Sequence, residues 1–352
     1  MLKLFYSFWP LQIFMTTRRN MDLFDPNAPK PFIISVSSRA LFDLEESHRH
    51  FEEFGEKAFI EYQLAHEDVP LKPGSAMGLV KKILAANEHL PEGARPFEVI
   101  LLSRNSPETG LRVFNTVEQM GLNIYRAVFT SGTAPSKYLK AIGADLMLSS
   151  NPIEVKKALD MGVAAATLMP HPYDDREHDD GKIRIAFDGD AVLFSDEAER
   201  IHAQGGLELF REHEIKNAKT PLGAGPFRGF LEVIHELQQA FPDQASCPIR
   251  TALVTARGMP THKRAILTLR SWGVRIDEGI FLAGKDKGPL LEAFGADLFL
   301  DDSQRNIENA ISSRIPSGHV PHGIRNSENA DESQFTGGQG PIIVPPSKQK
   351  MG

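Results

Sequence analysis

Short apolar runs rich in β-branched and aromatic residues recur along the chain, with longer amphipathic stretches between them. In the C-terminal half they are "IRIAF" (183–187), "TALVT" (251–255), "GIFLA" (279–283) and "DLFLD" (297–301). Their mostly apolar, non-alternating character predicts strands buried on both faces. "FRGFLEVIHELQQAF" (227–241) instead sets Phe230, Leu231, Ile234, Leu237 and Phe241 along one stripe, the pattern of a helix packed on a sheet. Strands alternating with helices predict an α/β fold with right-handed crossovers and a Rossmann-like parallel sheet. Ligands of such sheets bind beyond the carboxyl ends of the strands.

The pattern repeats. At an offset of 152, "FTSGTAPSKYLKAIGADLMLSS" (129–150) falls on "FLAGKDKGPLLEAFGADLFLDD" (281–302), and Ser103 falls on Thr255. At an offset of 151, "SVSSRALFDLEES" (35–47) meets "AFDGDAVLFSDEA" (186–198), Phe59 meets Phe210, and Pro70-Leu71 meets Pro221-Leu222. A register held over more than a hundred residues predicts a duplicated fold, with one copy at 31–172, a linker at 173–182 and a second copy at 183–323. Whether the copies form one sheet or two is open at this stage.

Composition narrows the class. With 352 residues, 41% hydrophobic and 24% charged, the chain has the make-up of a soluble globular protein of roughly two domains. A net charge of −7 argues against a general nucleic-acid binder. Cys247 is the only cysteine, so no intrachain disulfide forms and a cytoplasmic location is expected. The apolar start of the chain is broken by Pro10 and too short to span a bilayer. Residues 1–30 are therefore expected to be an unstructured extension, with Met15 or Met21 as alternative starts, and the polar stretch 324–352 a disordered tail.

The expected strand ends of the second copy carry chemistry. "IRIAF" leads to Asp188 and Asp190, "TALV" ends in Thr255, "FLAGKDKG" supplies Lys287, and "LFL" ends in Asp301 and Asp302. An isolated D-x-D is as easily a solvated turn, but four acids, a hydroxyl and an amine on one edge are not. Carboxylates about 4 Å apart repel by a few kcal/mol at intermediate dielectric. A hard divalent cation such as Mg²⁺ offsets that repulsion and suits carboxylate oxygens and phosphate. One aspartate can then attack phosphorus while a second carboxyl group protonates the leaving alkoxide. Thr255 and Lys287 suit the phosphoryl oxygens.

This ordered set resembles the haloacid dehalogenase (HAD) superfamily of phosphohydrolases. The resemblance implies that Asp188 is the nucleophile, Asp190 the general acid/base, and Thr255 and Lys287 the phosphate binders. It further implies metal held by Asp188, Asp301, Asp302 and the backbone carbonyl of Asp190. From about Ile33 to Gly323, longer strings such as "FDGDAVLFSDEAER", "PLGAGPFRGFLE", "CPIRTALVTARG" and "FLAGKDKGPLLE" are similar to the cytosolic 5′-nucleotidase type I family. That similarity implies Mg²⁺-dependent hydrolysis of nucleoside 5′-monophosphates, AMP and deoxynucleotides among them. The 66 residues between Asp188 and Thr255 imply a cap insertion at about 196–246. Arg257 is a candidate substrate contact or a surface ion-pair partner, and Lys285 is a rival to Lys287.

In the first copy the skeleton remains without its acids. Ser37 and Arg39 stand at the positions of Asp188 and Asp190, Ser103 at Thr255, Pro135 at Lys287, and Ser149-Ser150 at Asp301-Asp302. That copy is expected to be non-catalytic, either purely structural or binding a nucleotide effector through its serine hydroxyls and Arg39. No membrane partner is expected, and self-association is compatible with the sequence without being specified by it. Three other functions fit parts of the pattern: a HAD phosphatase or phosphotransferase acting on sugar phosphates, a D-x-D glycosyltransferase, and a nucleotide sensor.

Overall fold

The computed structural model describes residues 29–91, 93–173 and 180–327. Most of the expected N-terminal extension, of the linker and of the tail lies outside these residues. Ten strands build one sheet. Those of the N-terminal half are β1 (Phe32–Ser37), β2 (Phe97–Ser103), β3 (Arg126–Phe129), β4 (Leu146–Ser149) and β5 (Ala164–Leu168). Those of the C-terminal half are β6 (Ile183–Phe187), β7 (Ile249–Thr255), β8 (Glu278–Phe281), β9 (Leu298–Asp301) and β10 (Ser317–His319).

Across the sheet the order is β8-β7-β6-β9-β10-β5-β4-β1-β2-β3. Among the described residues, every pairing within each half of this sheet is parallel. The single antiparallel joint sets Gly318 opposite Leu168 and His319 opposite Thr167. Strand direction therefore reverses at the middle of the sheet, and the carboxyl ends of the two halves open on opposite edges. The fold is α/β with a large, mostly parallel sheet, in keeping with a Rossmann-like architecture, and the two expected copies share one sheet rather than two.

Burial follows the apolar runs. All seven residues of β2 are buried, as are six of the seven in β7. The helix Arg228–Gln239 turns Phe230, Leu231, Ile234 and Leu237 inward, the stripe expected for this segment, and stops just before Pro242. Phe230 lies 5.5 Å from Phe32 of the N-terminal half and 6.1 Å from Phe187, so one apolar layer runs across both halves. This helix falls within the 196–246 segment expected to insert as a cap, and it packs on the sheet.

Local geometry recurs at matching positions. Ser131 and Ala283 both adopt left-handed backbone, with φ of 47° and 48°. The Ile33 N–H donates to Asp145 Oδ2 at 2.8 Å, and the Arg184 N–H to Asp297 Oδ2 at 2.7 Å. The described chain also runs past the expected boundary at 323. Ile324–Asn326 form a 3-10 turn, because Asn326 Nδ2 donates to the Asp302 carbonyl at 3.0 Å and Arg325 reaches Glu199 at 2.5 Å. Among the described residues, no helix is long and apolar enough to cross a membrane.

Candidate active site

The carboxyl ends of β6, β7, β8 and β9 bring the expected residues to one place. Asp188 follows β6, its N–H donating to the Leu300 carbonyl at 2.8 Å. The chain then turns tightly through Gly189, Asp190 and Ala191 (φ 61°), closed by Phe194 N–H donating to the Gly189 carbonyl at 2.8 Å. A Cβ at position 189 would stand 3.2 Å from Thr255 Oγ1, so the close approach of the two strand ends favours glycine there. Thr255 is buried, and its Oγ1 accepts from the Arg257 N–H at 3.2 Å.

Lys287 sits at the start of the helix Gly288–Phe294 and is 4% exposed, whereas its rival Lys285 is exposed. The Lys287 ammonium donates to Asp188 Oδ1 and, at 2.6 Å, to Asp301 Oδ2. Asp301 is held in turn by the Ser303 N–H at 2.8 Å and by Asn306 Nδ2 at 3.0 Å. The carbonyl of Asp302 accepts from His319 Nε2 at 2.9 Å, which fixes the proton on that nitrogen. Asp302 Oδ2 is buried and has no hydrogen-bond partner among the described residues.

Asp188, Asp301 and Asp302 each offer a carboxylate oxygen within 4.8 Å of the others. The Asp190 side chain lies outside this triad. Its two oxygens take a bidentate pair from Arg257, Nη2 to Oδ1 at 2.7 Å and Nε to Oδ2 at 2.9 Å. Arg257 is almost wholly buried, so it is not a surface ion-pair partner. In the N-terminal half the serine hydroxyls are engaged locally. Ser38 and Ser103 bond each other at 2.9 Å, Ser37 caps Ala40 at 3.2 Å, and Arg39 pairs with the exposed Glu45 at 2.6 Å.

Too many acids for the available cations sets the electrostatics. Burial raises the carboxyl group of Asp188 to about 6 against the pull of Lys287, with Asp301 and Asp190 adding to the rise. Burial also raises Asp302 well above the usual carboxylate range, helped by Glu199 and Asp301. Glu199 rises to about 8, mainly through burial, although Arg325 opposes the shift. An orphaned carboxylate oxygen beside two more, all hard oxygen donors, is a set that fits a divalent cation.

These shifts fix the sign of a stability change. Above its ordinary value near 4.5 and up to about 8, Glu199 keeps a proton in the folded state that the unfolded chain has released. Stability therefore falls as pH rises through that range. Below about 6.5 the depressed histidines His171, His202 and His319 begin to act the other way. The metal-free protein should thus melt higher at pH 7 than at pH 9, by on the order of 1 kcal/mol from Glu199. The difference should shrink in Glu199→Gln and in saturating Mg²⁺, which favours the ionised triad. A melting temperature that rises from pH 7 to pH 9 would contradict this electrostatic picture.

Comparison with known proteins gives the family. A family model described as 5′-nucleotidase matches residues 25–327. The chain belongs to the 5′-nucleotidase family. It is 38% identical over 303 residues to cytosolic 5′-nucleotidase 1B of Homo sapiens, an alignment covering 83% of this chain and 50% of that protein. The chain thus spans about half the length of the curated relative it matches. The residues matched include the ten strands of the large sheet and each of Asp188, Asp190, Thr255, Lys287, Asp301 and Asp302.

Several residues of this site escaped the sequence reading. Asn306, His319, Arg325 and Asn326 support Asp301, Asp302 and Glu199 from segments without a motif, two of them in the polar stretch taken for tail. Glu214 and Arg264 stand behind Arg257. The signal for Glu214 and Arg257 was the repeat itself, where Gln63 and Asn105 occupy the matching positions.

Proposed function

We propose that this chain is a Mg²⁺-dependent 5′-nucleotidase of the HAD type, acting in the cytoplasm on nucleoside 5′-monophosphates, AMP and deoxynucleotides among them. The observation that carries this reading is the buried carboxylate triad whose Asp188 also meets Lys287, at the carboxyl ends of the strands of a chain in the 5′-nucleotidase family. Asp188 attacks phosphorus and forms an aspartyl-phosphate, while Asp190 gives its proton to the departing 5′-oxygen. Asp190 then takes a proton from the water that attacks the phosphoenzyme, and orthophosphate leaves. Thr255 and Lys287 hold the phosphoryl oxygens as charge spreads over them.

Asp188, Asp301 and Asp302 would hold Mg²⁺ through their carboxylates, and Asp190 through its carbonyl. The ion, when bound, supplies positive charge against the acids and the phosphate. The helix Glu197–Lys216 and the loop after it are the part of the 196–246 segment left to cap the site. The matching strand orders and recurrent bonds support a duplication in which the N-terminal half lost its acids and now serves the fold. Its engaged hydroxyls and surface-paired Arg39 favour this structural role over an effector site.

Phosphate release from a panel of nucleoside monophosphates and sugar phosphates, with Mg²⁺ and with a chelator, tests the reading. Nucleoside 5′-monophosphates should be hydrolysed and sugar phosphates spared, with chelation abolishing turnover. Equal rates across the panel would favour a general phosphatase, and turnover surviving the chelator would remove the metal from the account.

A further inference from the structure

The structure assigns to Glu214 a role as positioning residue: it fixes Arg257, and through Arg257 it orients the Asp190 carboxyl group. The inference rests on the proposed role of Asp190 as general acid/base. Glu214 lies on the helix Glu197–Lys216, where it is buried among mostly exposed neighbours. Its Oε2 accepts from Arg257 Nη1, and its Oε1 accepts from Arg264 Nη1 at 2.7 Å. Arg257 donates with its other face to both oxygens of Asp190, and its Nη1 also reaches the Thr261 carbonyl at 3.3 Å. Phe210 of the same helix stands 5.5 Å from the guanidinium.

A guanidinium clamped on both sides has little rotational freedom, and a bidentate pair fixes the plane of the carboxylate it grips. Glu214 supplies the counter-charge that Arg257 would otherwise take wholly from Asp190. Burial opposes the charge on Glu214, but Arg257 and Arg264 outweigh it and hold its carboxyl group below the ordinary range. The three groups are thus a charged relay from the cap-side helix to the carboxyl group that moves the proton.

The N-terminal half provides an internal control. Arg112 occupies the position of Arg264 and keeps both of its fold contacts, Nε to the Val69 carbonyl at 3.0 Å and Nη1 to Gln63 Oε1 at 3.2 Å. Arg264 makes the same two contacts, to the Thr220 carbonyl at 2.9 Å and to Glu214. Holding the helix therefore needs an arginine and a side-chain oxygen, not a carboxylate. Where the acids are absent, Asp190 is matched by Arg39, Arg257 by Asn105 and Glu214 by Gln63. The charges of the relay occur only in the half that holds the triad.

Glu214→Gln, Arg257→Lys and Asp190→Asn, assayed with Mg²⁺ and a nucleoside monophosphate, test this. Gln63 beside Arg112 indicates that the amide fits, and Arg257→Lys keeps the charge while losing the bidentate grip. Glu214→Gln and Arg257→Lys should each lower kcat by about 10- to 100-fold with KM within about threefold of wild type. The double variant should be no slower than Arg257→Lys alone, since Glu214 acts through Arg257. A wild-type kcat in either single variant, or a loss confined to KM, would overturn the inference, the second outcome making Arg257 a substrate contact. Asp190→Asn separates the levels. If it is inactive while Glu214→Gln is fully active, only this inference fails; if it remains active, the acid/base assignment itself fails.

Discussion

Asp188→Asn should abolish phosphate release, lowering kcat by about 10⁴-fold or more, as expected when a covalent nucleophile is lost. The protein should remain folded. Asparagine keeps the size of the side chain and removes one member of an acid cluster in which burial already disfavours charge. Lys287 retains Asp301 at 2.6 Å, so its ammonium is not left without a counter-charge. The metal-free variant should therefore melt no lower than wild type at neutral pH, which a thermal scan checks alongside the assay. Equilibrium binding to this inactive protein should find one nucleotide site per chain. A second saturable site, lost in Arg39→Ala, would restore an effector role to the N-terminal half. Undiminished turnover would remove Asp188 from the centre of the mechanism.

Lys287→Met should also lower kcat, by about 10²- to 10³-fold, the usual scale when a preorganised charge at a developing oxyanion is lost. Its effect on the protein should have the opposite sign to that of Asp188→Asn. Asp188 and Asp301 are buried and share this ammonium, so its removal strands both, and breaking a buried pair costs about 3–5 kcal/mol. The metal-free variant should melt well below wild type at pH 7. Mg²⁺ should restore more stability to it than to wild type, because a cation site that has lost a neighbouring positive charge binds its ion more tightly. Thermal scans across a Mg²⁺ titration, read beside the assay, check both signs. A variant as stable as wild type without metal would mean that the lysine does not balance the acids.

These opposite expectations come from one arrangement, and parts of it were legible in the chain. The strand 183–187 was readable because Ile183, Ile185, Ala186 and Phe187 make a buried run around Arg184, and the acids after it followed from strand-end chemistry. The stripe of Phe230, Leu231, Ile234 and Leu237 was equally clear, and it is that stripe which seats this helix on the sheet. The joint of the sheet was not readable. Ser317, Gly318 and His319 carry no apolar run, and their strand exists because β9 and β5 supply ladders on its two sides. Gly318 fits there because a Cβ would come within 2.9 Å of the Ala166 side chain and 3.0 Å of Leu300.

Glu214 was hidden for a different reason. It lies on a helix with Glu208 and Glu212, both exposed, and a run of glutamates on an amphipathic helix reads as a solvated face. Only tertiary packing separates the buried member from its neighbours. Arg257 stands out in the sequence as a candidate substrate contact or surface ion-pair partner, but its bond to Asp190 joins residues 67 apart and leaves no local signal. The repeat register held the missing information, because three substitutions between the halves coincide with three members of one network.

Phosphoryl transfer should pass through Asp188, at the strand ends of the C-terminal half. Rapid quenching of the wild-type protein during turnover of a radiolabelled nucleoside monophosphate, followed by peptide mapping, checks this. An acyl-phosphate label, released by hydroxylamine, is expected on the peptide that contains Asp188. A label on another residue, or turnover with no phosphoenzyme at any quench time, would contradict it.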